Sequence, residues 1–169
     1  MFAALRDDSD EAASARQEPV LAIVILAGIA GVLTTSLAGR LLDDSHYDGW
    51  NIAVWAFLGG IFYGTLVYWL GGLLVHALAV VLRTGSSYRQ ARHVVGFAAA
   101  PLALSLLLVW PVRIAIYGDD LFRTGGSDTG TGDWIFAALI FVSYVWTFGL
   151  VALGLLELRK RSSSSADIS

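Results

Sequence analysis

IAVWAFLGGIFYGTLVYWLGGLLVHALAVVL, residues 52–82, decides the fold: it is a run of 31 residues without one Asp, Glu, Lys or Arg. A run this long reads as a membrane-crossing helix, because in lipid every backbone N–H and C=O must be bonded inside the segment. As a straight helix it would reach about 46 Å, against a hydrocarbon core of about 30 Å. It must therefore tilt, bend or protrude, and the adjacent Gly71 and Gly72 mark the place for a bend. Splitting it into two spans is disfavoured, since the basic residues that follow would then face away from most of the chain's other cations.

Three further apolar stretches flank it. Residues 20–39 and 134–156 carry no charge, and residues 94–117 carry only Arg113. The expected fold is an all-α transmembrane bundle of about four spans, at about 20–39, 52–82, 94–117 and 134–156. Pro19 fits the first turn of the first helix, where its missing N–H costs nothing. Ahead of it, residues 1–19 are acidic and Ala/Ser-rich and read as a mobile tail. That acidic start and the long apolar run after it argue against a cleaved leader.

Composition agrees with a membrane protein. The 169 residues are 56% hydrophobic and 15% charged, with a mean hydropathy of +0.67. With no cysteine, disulfides, thiolate metal sites and a cysteine nucleophile are excluded. The net charge of −3 argues against a nucleic-acid partner. Lys160 is the single lysine beside ten arginines, and eleven of the fourteen acids are Asp, a composition that suggests adaptation to high salt.

Orientation follows from the basic residues. Placing the N-terminal tail, the 83–93 loop and the C-terminal tail on one side collects eight of the eleven Arg and Lys residues there, against Arg40 and Arg123 opposite. Both termini are therefore expected in the cytoplasm of a multi-pass protein of the cell membrane. Residues 83–93 hold Arg83, Arg89, Arg92 and His93 and no acid, and Ser87 with Gln90 has capping-box spacing, so the third helix starts there. Pro101 and Pro111 should kink it, freeing the carbonyls of Phe97 and Leu107.

Residues 85–101, GSSYRQARHVVGFAAAP, join a small-residue turn, an aromatic, Arg-Gln and a Gly-aromatic-small stretch closed by proline. This resembles the signature of the Yip domain family of multispanning membrane proteins, named for interaction with Ypt/Rab GTPases. WLGGLLVHALAVVL (69–82) and GLLELRK (154–160) are similar to that family's helix entering the same loop and to its closing helix. The resemblance spans about residues 18–161 and implies a non-enzymatic role in membrane organisation or trafficking. Eukaryotic members bind small GTPases, while prokaryotic members are largely without assigned function, and a prokaryotic, salt-adapted member fits this chain.

The candidate sites each carry two readings. Arg89, Arg92 and His93, at i, i+3 and i+4, share a helix face suited to anionic lipid headgroups, or they serve only to orient the chain. His76, about 10 Å inside the helix end, is either a proton relay or bond donor to a freed carbonyl near Pro101, or a neutral histidine satisfied within the bundle. Arg113 can snorkel to Asp119 or Asp120. Gly60 with Gly64, Gly96 with Ala100, and Ala27 with Gly31 have the small-xxx-small spacing that lets helices approach closely, within one chain or in a homo-oligomer.

Asp43, Asp44, His46 and Asp48, and the stretch GGSDTGTGD (125–133), could offer oxygens to a hard cation, but solvated loops are the commoner meaning of such clusters, and no metal or other cofactor is expected. Glu157 can pair with Arg161 at i+4. His46, His76 and His93 sit in separate segments with no catalytic motif, so an enzyme is not expected. Two functions remain: a non-enzymatic membrane organiser binding lipid or partner proteins, or a small transporter or channel component in which His76 and the proline-kinked third helix line a path.

Overall fold

The computed structural model describes residues 10–166 except 45, 83, 85 and 129, with side chains described between residues 18 and 159. Arg6 and Arg83, and the side chains of Arg16, Lys160 and Arg161, lie outside it, and with them the Glu157 to Arg161 pairing. The regular structure of the described residues is helical, without strands: α1 (Asp10–Leu33), α2 (Gly49–Val81), α3 (Tyr88–Ala98), α4 (Ala100–Tyr117) and α5 (Thr131–Ala166). Short 3-10 turns, Ala38–Asp43 and Gly118–Phe122, close one end. Three stretches are long and apolar enough to cross a membrane, namely Gly49–Val81, the α3–α4 run Tyr88–Phe122, and Thr131–Arg159.

The first helix departs from expectation at both ends. It begins at Asp10, so Pro19 lies inside it. Ala12, Ala13, Ala15, Arg16 and Gln17 are strong helix formers that carry the helix back through the expected tail. It stops at Leu33 rather than 39, where the Thr34 and Thr35 hydroxyls donate to the carbonyls of Gly31 and Val32 at 2.7 and 2.6 Å. Its apolar part, Glu18–Leu33, is correspondingly shorter than the other three.

Residues 52–81 fall in one continuous helix, α2, which Asp48 starts by accepting from the Asn51 N–H at 3.0 Å and Leu82 caps. The helix continues through Gly71 and Gly72, which lie against Val95 and Arg92. Polar ends of the neighbours mark a level on it. Val20, two residues after Glu18, packs with Tyr68, and Leu158, beside Glu157 and Arg159, packs with Val94. Beyond these contacts α2 continues as helix through residues 73–81, about 13 Å more.

α1 lies antiparallel along α2 on glycine. A Cβ on Gly28 would stand 2.8 Å from the Gly64 nitrogen, one on Gly60 2.7 Å from the Ile29 nitrogen, and one on Gly64 2.5 Å from the Val24 carbonyl oxygen. The third apolar run divides at Ala99, with Pro101 in the first turn of α4, where the ring's missing N–H removes a bond to the preceding turn. Pro111 lies inside α4 without ending it. α5 extends beyond 134–156 at both ends.

Candidate functional site

The α2–α3 corner is built from local signals outward. Ser87 accepts from the Gln90 N–H at 3.3 Å while the Gln90 side chain accepts from the Ser87 N–H at 3.2 Å, a reciprocal cap that fixes the start of α3. Thr84, buried in the turn, donates to the Ala79 carbonyl at 3.1 Å. From this start α3 runs back along α2. Gly72 has no side chain and the Arg92 stem fills the space, its Cα 3.1 Å from where a Cβ of Gly72 would be.

Arg92 then lies among three rings. Its guanidinium carbon is 4.2 Å from the Trp69 ring centre, 5.2 Å from Tyr88 and 5.4 Å from Tyr68. Tyr88 is itself held by donating its hydroxyl to the Trp69 carbonyl at 2.9 Å. His76 stands edge-on to Tyr88, ring centres 5.9 Å apart. Nε of Arg92 and Nδ1 of His76 are buried without a hydrogen-bond partner, and Arg92 meets no carboxylate among the described residues. Cation–π contact supplies about 0.5–2 kcal/mol, whereas an uncompensated buried charge costs several. The rings orient this cation without neutralising it.

Arg89, Arg92 and His93 do not share one surface environment. Arg89 is half-buried, Arg92 lies on the rings, and His93 is only 5% exposed. Gly96 packs against Val20 and Tyr68, bringing α3 close to α1 and α2.

At the far end the acids have separate partners. Arg113 pairs with Asp133 and, at 3.6 Å, with Asp128, rather than with Asp119 or Asp120. Its guanidinium also sits over the Trp110 ring. Asp43 accepts from both the Thr124 N–H, at 2.7 Å, and the Thr124 hydroxyl, which hold its carboxyl below the usual carboxylate range and tie the two outer loops together. Asp44 is lowered likewise by bonds from His46, and Asp48 caps α2. Beneath them pack Leu42, Ile52, Leu121 and Phe122. Among the described residues no three His, Asp or Glu side chains converge on a metal position.

Comparison with known families matches residues 2–168 to the Yip1 domain. The chain belongs to the Yip1 domain family. It is an integral membrane protein of apolar helices, as the resemblance at residues 85–101 implied. No curated protein and no solved structure matches it. In this Yip1-domain chain the motif stretch forms the capped start of α3 and the Arg92 corner.

Spacing alone signalled Arg92 but not its surroundings. Trp69, Gly72 and His76 recur at i, i+3 and i+7 of α2, and Tyr88 and Arg92 at i and i+4 of α3, so each half of the corner is a legible stripe. Their facing is a tertiary fact. Two cavities, described below, are lined by neither His76, Pro101 nor Pro111.

Proposed function

We propose that this Yip1-domain protein is a non-enzymatic membrane organiser that holds an anionic lipid phosphate at the α2–α3 corner. The observation that carries the reading is Arg92, stacked on three rings, half-buried and without a carboxylate among the described residues. A guanidinium stacked on its faces still offers edge N–H donors, the geometry that suits phosphate oxygens. Tyr68, Trp69 and Tyr88 suit a headgroup interface. On this reading the corner and both termini face the cytoplasm, the leaflet richer in anionic lipid.

The test is lipid selectivity. Wild type and Arg92→Gln are reconstituted with equal anionic and zwitterionic phospholipid, and the lipid retained on extraction is measured. Wild type is expected to enrich anionic lipid about fivefold over the variant, from about 1 kcal/mol per basic residue at an anionic surface. Equal enrichment, with helix content unchanged, would overturn the reading.

A further inference from the structure

Two cavities share Tyr144 as a lining residue. The first, about 470 Å³, opens beside the acidic loops, between the end of α1, α4 and α5. Its wall is mostly apolar but carries a polar group, Thr34, Thr35, Ser36, Arg113 and Asp128, around Trp110. The second, about 420 Å³, continues along α1, α2 and α5, and among its lining residues only Thr147 and three tyrosines carry polar side-chain atoms. Between them the Tyr144 hydroxyl lies 3.2 Å from Thr34 Oγ1.

The polar cavity is short of acceptors. Trp110 is 2% exposed, and among the described residues its indole N–H has no hydrogen-bond partner, nor has the buried Nε of Arg113 beside it. Arg113 spends other donor capacity on Asp128 and Asp133, so one cation faces two carboxylates. A ligand completing this site brings oxygens for the free N–H groups, yet a net negative charge would be repelled. A headgroup with both a phosphate and a cation meets both conditions. The apolar cavity beyond Tyr144 then receives a chain.

We infer that the two cavities form one lipid site, holding a zwitterionic phospholipid by its headgroup among Arg113, Asp128, Trp110 and Thr34 and by one acyl chain along the α2–α5 crevice. Each volume falls within the range of about 300–1,000 Å³ common for ligand sites. Because the surrounding bilayer is as apolar as the crevice, the chain adds shape and the headgroup adds selectivity. The site lies at the opposite end of the bundle from Arg92 and has the opposite charge preference, so it stands without the cytoplasmic site.

Full-length protein, delipidated in detergent and offered equal phosphatidylcholine and phosphatidylglycerol, is examined by native mass spectrometry. Wild type and Arg92→Gln should each retain one phosphatidylcholine. Ala137→Trp, filling the polar cavity, and Thr147→Trp, filling the crevice, should retain on the order of tenfold less. Failure of Arg92→Gln, in which the cytoplasmic site is removed, to prefer phosphatidylcholine refutes the inference. So does undiminished retention by both tryptophan variants, each checked for native helix content. Loss of phosphatidylglycerol alone in Arg92→Gln bears on the cytoplasmic site and leaves this one standing.

Discussion

Replacing Gly28 with alanine places one methyl group where α1 and α2 touch backbone to backbone. The new Cβ would stand 2.8 Å from the Gly64 nitrogen and 2.9 Å from its Cα, inside the approach of the Gly60 carbonyl. Carbon contacts settle near 3.5–4.0 Å, so the helices must part by about 1 Å, and because the obstacle is main chain, no rotamer change relieves it. Overpacking of this kind costs about 1–3 kcal/mol. Gly149 in α5 is the internal control, since a Cβ there meets nothing within 4 Å. Gly149→Ala should stabilise by about 0.5–1 kcal/mol through helix propensity alone. Unfolding in mixed micelles by SDS titration, followed by circular dichroism, measures both. Gly28→Ala should fall below wild type and Gly149→Ala should match or exceed it. If Gly28→Ala were as stable as Gly149→Ala, the glycine contact would not be holding α1 to α2.

Two more outcomes follow from the local chemistry. Ser87→Ala removes the acceptor for the Gln90 N–H and should destabilise the start of α3 by about 1 kcal/mol, read as faster amide exchange over residues 88–92 with little change in α5. The Asp43 carboxyl, lowered first by the Thr124 hydroxyl and then by its N–H, contributes stability that is complete above the ordinary carboxylate pKa of about 4 and is lost as pH falls through the lowered value. The melting-temperature gap between wild type and Thr124→Val should therefore be present at pH 6 and close toward pH 3. A gap that widened on acidification would contradict the clamp.

Residues 52–82 show what a run of uncharged side chains can say: a long helix in lipid, with an excess of length that something must absorb. That it stays one helix depended on the neighbours, because Val95 and Arg92 pack onto Gly71 and Gly72 and α2 runs through them unbroken. The Ser87–Gln90 cap was legible since it is made within four residues. The partner of Arg113 was not, since sequence proximity favoured Asp119 and Asp120 while the α5 start brings Asp133 to the guanidinium.

The sequence by itself determined the material of this protein: an all-helical membrane chain, its basic turn, its family motif and the glycines available for close approach. Tertiary structure decided which glycines meet, with Gly28 inserting between Gly60 and Gly64 although the expected spacing on α1 was Ala27 and Gly31. It also decided the meaning of Arg92. A charge in sequence is only a charge. Whether it is solvated, paired or stacked depends on the groups within about 4–6 Å, and two of its three rings, Tyr68 and Trp69, come from a helix some twenty residues away in the chain.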